Sequence, residues 1–276
     1  MVNSPDRAMA LIEELYQGTK DVVTKRISQL EGALGSTGPL QKWDMEYAKQ
    51  ILITKQTGGF SPQDARQYFQ VAKVIPGLLQ FARAVYGVKL QERPEVKTWH
   101  RDVIVYDVYD DNEERDDLMG RIYLDYLFRE DKENHPCTLA LTTGVEGKQY
   151  AEAVLVVGLE RELGATMHFW DATACWHELG HLFHHILGGK NQRYHRFSGF
   201  EGMQYDFIEA PSQLAEEWLA EFQVVQLFAA NHKGETISEA MLQNLIQSER
   251  IVNPLITCQR LLWARIAVSV NDLPDY

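Results

Sequence analysis

Apolar residues at Ala8, Leu11, Ile12, Leu15, Val22, Val23, Ile27, Leu30 and Leu34 recur at helical spacing. They predict one long amphipathic helix over residues 5 to 34, with Ser4 placed to cap its start. Gly35-Ser36-Thr37-Gly38-Pro39 interrupts the pattern. A second helix is predicted from about Trp43 to Gln56, with Gly58-Gly59 closing it, and Ser61-Pro62 opens a third whose pattern continues into Leu78 to Tyr86. Residues 1–98 therefore read as a helical layer serving as scaffold.

The period then shortens. Val103 to Val108, Arg121 to Leu127, Cys137 to Thr142 and Ala153 to Val157 are short runs, β-branched or aromatic, separated by turn-rich stretches. Residues 99–160 are expected to form a small sheet. The acidic stretch from Asp110 to Asp117 imitates a calcium loop but lacks the spaced ligands and central glycine of an EF-hand, so it is read as a solvated hairpin tip. Helical spacing returns over 161–276. Asp171 or Thr173 is placed to cap a helix that Gly188-Gly189 ends. Another starts near Tyr205 and is expected to be completed by Phe222 to Asn231, followed by helices at Ser238 to Ser248 and Leu255 to Val270. The fold class expected is mainly α with a small β-sheet (α+β), in one compact domain spanning 1–276.

Composition adds exclusions. A net charge of −12 with no offsetting basic run argues against nucleic acid as a partner. No apolar run is long enough to span a membrane, and Met1 to Asp6 leads into a charged helix rather than a signal peptide, so a cytoplasmic protein is expected. Three widely spaced cysteines, Cys137, Cys175 and Cys258, fit a reducing compartment. Cys175 reads as a packed small hydrophobe.

The candidate chemistry lies at Cys175-Trp176-His177-Glu178-Leu179-Gly180-His181, an HExxH pattern on an apolar helical segment. His177 and His181 are one turn apart and face the same way, so both imidazoles can grip one metal ion. A catalytic zinc needs a third protein ligand and a position for water, and Glu178 is placed to take a proton from that water. Downstream, Asp206, Glu209, Gln213 and Glu216 follow the spacing 3, 4, 3 and share one helical face. Phe207, Ile208, Leu214, Trp218 and Leu219 flank them and are too apolar for a helix wet all round. Part of the acidic face is expected to look inward, where a carboxylate needs a cation or donors.

The segments HELGHLFHH at 177 to 185 and FSGFEGMQYDFIEAPSQLAEEW at 197 to 218 resemble the zinc oligopeptidases of the thimet oligopeptidase, neurolysin and oligopeptidase A group. Upstream stretches, among them Trp99-His100-Arg101-Asp102-Val103 and Gly120-Arg121-Ile122-Tyr123-Leu124-Asp125, extend the resemblance over roughly residues 40 to 270. It implies a zincin-like metallopeptidase core binding one Zn²⁺ through His177, His181 and Glu209, with Glu178 as general base. It also implies Glu216 as an acceptor for a ligand histidine, with Asp206 and His184 as further supporting residues. His185 and His195 match nothing in the family pattern and are expected to be exposed. The loop Lys190 to Gly202 is a candidate substrate-contacting flap. Which residues bind substrate is left open.

The resemblance further implies a shortened member, lacking much of the N-terminal region and a C-terminal tyrosine-rich segment that contacts substrate and stabilises the tetrahedral intermediate. Apolar surface covered in longer members would then be buried in a homo-oligomer. Three functions follow. The first is a metallo-oligopeptidase acting on short peptides, a small sheet strand beside the metal taking the peptide main chain. The second is a recruited zinc enzyme acting on a small molecule, and the third an inactive zinc-binding remnant. Retention of Glu178, which adds nothing to metal affinity that Gln would not match, disfavours the third.

Overall fold

The structure is a computed structural model describing residues 4–35, 38–111 and 117–272. Its helices are α1 (Pro5–Leu34), α2 (Met45–Gln56), α3 (Pro62–Ala65), α4 (Val71–Tyr86), α5 (Phe169–Gly189), α6 (Tyr205–Glu217), α7 (Phe222–Val225) and α8 (Glu239–Asn271). Between α4 and α5 run the strands β1 (Val88–Glu92), β2 (Ile104–Asp110), β3 (Leu118–Leu127), β4 (Cys137–Thr142) and β5 (Ala151–Leu159). A mainly helical α+β fold is therefore observed. Most of the acidic stretch read as a hairpin tip, residues 112 to 116, lies outside the described residues.

The chain divides into two compact units, residues 1–64 with 240–276, and residues 65–239. In the first, α1 begins as its sequence predicts, the Ser4 hydroxyl accepting the Arg7 amide N–H at 3.3 Å. Leu30 from α1, Ala48, Leu52 and Ile53 from α2 and Ile251 from α8 form its core. One helix, α8, runs where two were expected. Pro254 lies inside it without ending it.

The second unit is built on a five-stranded sheet of order β1-β2-β3-β5-β4. β3 and β5 pair in parallel; the remaining pairs are antiparallel. The strand β1 was not expected. Gly87, in the left-handed region at φ 63°, stops α4 and turns the chain directly into it. On one face of the sheet, Val103, Val105, Tyr123, Val154 and Val156 form a cluster with Val96 and Cys137 packed against it. The other face carries α5, which packs on β3, β4 and β5.

α5 is apolar nearly all round, the pattern of a helix at the centre of a domain. Trp176, Leu179, Leu182, Phe183 and Ile186 are completely buried. Each such side chain contributes about 1.5–3 kcal/mol on burial, so α5 is the best-anchored element of the unit. Trp176 is wedged between Phe81 and Phe228, with ring centroids 5.8 and 4.7 Å away.

The start of α5 differs from expectation. The helix begins two residues earlier than Asp171, at Phe169, and His168 is its N-cap. Asp171 instead sits in the first turn and accepts the His168 amide N–H at 2.8 Å, closing a capping box. α6 also ends sooner than expected. It tightens into a 3₁₀ turn at Trp218–Ala220, and only the short α7 follows.

Candidate metal centre

His177 and His181 project from the face of α5 that meets α6. What lets α6 come close is Gly180, between them. A Cβ built there would stand 2.6 Å from the Ser212 Cα and 2.7 Å from the Pro211 carbonyl oxygen, both backbone atoms of α6. Glycine at this position therefore sets the distance at which Glu209 faces the two imidazoles.

The three side chains converge. Nε2 of His177 lies 3.2 Å from Nε2 of His181, and the Glu209 Oε2 lies 3.2 Å from the first and 3.3 Å from the second. A tetrahedral zinc with bonds of roughly 2.0–2.1 Å spaces its ligand atoms about 3.3–3.4 Å apart, so the observed triangle has the size of one face of that tetrahedron. Two imidazole acceptors and a carboxylate oxygen this close repel one another unless a cation or a shared proton sits among them. Two nitrogens and one oxygen form a donor set suited to zinc rather than to magnesium or calcium, which prefer oxygen throughout.

Supporting contacts fix the candidate ligands. His177 Nδ1 lies 2.5 Å from Glu216 Oε1, which assigns the ring proton to Nδ1 and leaves the Nε2 lone pair facing the triangle. This hydrogen bond raises the His177 imidazole above its ordinary range, against the lowering effect of burial and with help from the charges of Glu178, Glu216 and Glu209. The Ser212 hydroxyl lies 2.9 Å from both the Glu209 carboxylate and the Glu209 carbonyl, and so orients the carboxylate from one turn below. Glu178 lies on the sheet side of α5, buried, with its Oε2 lacking any hydrogen-bond partner from the protein. A buried carboxylate oxygen in that condition is costly unless a substrate or solvent donor uses it. The Thr138 hydroxyl of β4 donates to the Glu178 carbonyl at 2.8 Å and ties this edge strand to the motif.

The profile of peptidase family M3 matches residues 1–271. The chain belongs to this family. Among M3 relatives, oligopeptidase A of Escherichia coli (strain K12) is 26% identical over 276 residues, covering 95% of this chain and 39% of its own length. The probable thimet oligopeptidase of Arabidopsis thaliana is 32% identical over 180 residues, 63% of this chain and 25% of that protein. Saccharolysin of Saccharomyces cerevisiae is 25% identical over 221 residues, 76% of this chain and 31% of that protein. The chain thus spans about two fifths or less of the M3 relatives it matches.

Several residues singled out in the sequence stand apart from the triangle. Asp206 is exposed in the first turn of α6 and takes no hydrogen bond or ion pair among the described residues. His184 lines a mostly apolar hollow of about 260 Å³ with Val85, Tyr86, Leu187, Leu214 and Trp218. Burial lowers its pKa, with the neighbouring His181 and His185 adding to the shift. His195 is exposed as expected. His185 is not: it is fully buried, and its Nε2–H donates to the Thr142 carbonyl of β4 at 2.8 Å. Position 185 is seven residues after Glu178 and so returns to the sheet side of α5, a signal present in the sequence. Cys175 is buried, and burial pushes its thiol up to about 12, which keeps it protonated and out of metal chemistry at neutral pH. Ser212 and Thr138 had been given no role by sequence reasoning. Ser212 lies one turn from Glu209, which spacing alone could have flagged. Thr138 is recognisable only once β4 is known to cross α5.

Among the described residues no helix is long and apolar enough to cross a membrane.

Proposed function

We propose that this chain carries a zinc-dependent centre that hydrolyses peptide bonds in short peptides, with His177, His181 and Glu209 as the ligands and Glu178 as the general base. The observation that carries the reading is the triangle of ligand atoms, 3.2 to 3.3 Å on a side, one residue away from a buried carboxylate without a partner. M3 membership supports the hydrolytic chemistry, and the names of relatives such as oligopeptidase A and thimet oligopeptidase extend it to short peptides.

Zinc bound here supplies a Lewis acid for the scissile carbonyl and lowers the pKa of an attacking water. Glu178 accepts the proton of that water and delivers it to the departing amine, a contribution of about a hundred- to ten-thousandfold in rate. Glu216 holds the His177 ring in the tautomer that presents Nε2, and Ser212 keeps the Glu209 oxygen aimed at the same point. β4, one of the two edge strands, pairs among the described residues on one side only, with β5, and is fastened to the motif through Thr138, so its free edge is available to the main chain of an extended substrate.

The test is cleavage of a mixed library of short peptides by zinc-loaded protein, beside Glu178→Gln, read by mass spectrometry. Cleavage that disappears in the variant, while one equivalent of zinc is still bound, is the expected result. A library left intact by the zinc-loaded protein would refute the reading.

A further inference from the structure

Where β4 ends, a hollow of about 350 Å³ opens beside it, lined by Ala140, Leu141, Thr142, Thr143, Gln149 and Glu201. Its polar groups are mostly committed. The Thr142 hydroxyl donates to the Tyr150 carbonyl at 3.1 Å, and the Gln149 amide donates to the Thr143 carbonyl at 2.6 Å. The Glu201 carboxylate is not so committed. Glu201 is the one charged residue of the lining, is exposed, and takes no hydrogen bond or ion pair among the described residues, its charge acting within the protein on the buried His185 imidazole.

Its backbone is nonetheless well placed. Ser198 is fully buried and its Oγ accepts the Gly144 amide N–H at 2.7 Å. Gly199, at φ 61°, passes so close to the buried His185 that a Cβ would stand 2.2 Å from its Nδ1. Phe200 lies against the same imidazole, ring centroids 4.8 Å apart. Three consecutive residues thus anchor the loop that presents Glu201, and the His185 bond to the Thr142 carbonyl ties that anchor to the end of β4.

Position along the strand gives the site its meaning. Thr138 lies beside Glu178, and Thr142 lies beside His185, so β4 and α5 run in the same direction. The metal triangle is therefore level with the start of β4, and Glu201 with its end, three to four extended residues or about 10–13 Å further on. A peptide adding antiparallel to β4 passes its N-terminal part over the Glu201 end.

We propose that Glu201 forms a cation-selecting subsite on the N-terminal side of the scissile bond, taking a lysine or arginine side chain, or the free α-ammonium of a short peptide. The assignment rests on the peptide-hydrolysing reading above and adds a substrate preference to it. An open carboxylate–ammonium pair of this kind favours the charged ligand by about two- to fivefold and weakens with salt.

The experiment has two readouts. In the first, N-acetylated peptides with lysine or norleucine at each of the positions preceding the cleaved bond are compared for kcat/KM, together with norleucine peptides bearing a free α-amine. In the second, affinities of the same peptides are measured by fluorescence anisotropy on zinc-loaded Glu178→Gln protein, with and without Glu201→Gln. The expected result is an advantage of about two- to fivefold for the cationic peptide, lost in Glu201→Gln and reversed towards acidic peptides in Glu201→Lys, with zinc affinity unchanged. An advantage in the lysine series identifies the side chain as the cation, and one in the free-amine series identifies the α-ammonium; either supports the subsite. Equal lysine-to-norleucine ratios before and after Glu201→Gln would overturn it while leaving the hydrolytic reading intact. If no peptide is cut but lysine peptides bind better and lose that advantage with Glu201, the hydrolytic reading fails and the subsite stands. Absence of any binding difference, with no cleavage, overturns both.

Discussion

His177 Nδ1 and Glu216 Oε1 lie 2.5 Å apart, and Glu216 is seven residues, two helical turns, beyond Glu209. One face of α6 therefore supplies both an oxygen of the candidate triangle and the acceptor that sets the tautomer of one of its imidazoles. This arrangement separates two properties that mutation can read. Glu216→Gln keeps the shape of the side chain but lets its amide present a donor where the imidazole N–H needs an acceptor. Zinc affinity, measured by competition with a chromophoric chelator, is expected to fall about ten- to a hundredfold. Thermal stability of the metal-free protein should change far less, because His177 and Glu216 are both partly exposed. An unchanged zinc affinity would remove Glu216 from the site.

Gly180 offers a sharper structural test. An added methyl would overlap the backbone of α6 at Ser212 and Pro211, and neither contact is the movable end of a side chain. Gly180→Ala is expected to push α6 away from α5, costing about 1–3 kcal/mol of stability by overpacking. Since Glu209 rides on α6, zinc affinity should fall along with it. Calorimetric unfolding and zinc titration on one sample check both. A variant of normal stability and normal affinity would show that the helices can separate without disturbing the triangle.

These two helices also show what the sequence made legible. The HExxH spacing and the 3, 4, 3 spacing of Asp206, Glu209, Gln213 and Glu216 identify the correct faces, because helical periodicity is a local property. The acidic positions on the second face then diverge. Glu209 and Glu216 reach His177, while Asp206 stays in solvent, a distinction that depends on where α6 crosses α5. Long amphipathic runs such as α1 and α2 were readable for the same local reason. β1 was not, since five residues following a helix through Gly87 carry too short an alternation to stand out, and its pairing partner β2 lies 12 or more residues away. α8 illustrates the opposite error. Two helices were expected, Ser238 to Ser248 and Leu255 to Val270, yet one helix runs through both, with Pro254 inside it. His185 was expected in solvent because no motif included it, although its place seven residues after Glu178 puts both on one side of α5; that this side packs on the sheet is what the structure adds.

A pH effect independent of the metal centre follows from Asp125, buried on β3. Burial alone would raise its carboxyl. Hydrogen bonds from Arg129 and Trp99 and the charges of Lys132 and Arg129 outweigh that effect and hold it below the ordinary carboxylate range. Arg129 donates to both carboxylate oxygens, at 2.5 and 2.7 Å, the Trp99 indole N–H donates at 2.9 Å, and Lys132 also reaches the Val157 carbonyl of β5 at 2.7 Å. The carboxylate thus holds the segment after β3 against the sheet. A depressed folded pKa means that the unfolded chain binds the proton more readily, so the stabilisation is complete above the unfolded value of about 3.9 and is lost as the pH falls through the folded value. Asp125→Asn removes the charge at every pH, leaving Lys132 without its carboxylate and Arg129 with only the exposed Asp131. At pH 7 it is expected to cost about 3–5 kcal/mol, the scale for breaking a buried ion pair from one side. Urea unfolding of both proteins from pH 7 down to pH 3 checks the sign. The gap between them should stay constant to about pH 5 and narrow below about pH 4 as the native carboxylate protonates. A gap that instead widens towards acid would mean that the native carboxyl is raised, and that burial, not its cationic partners, governs Asp125.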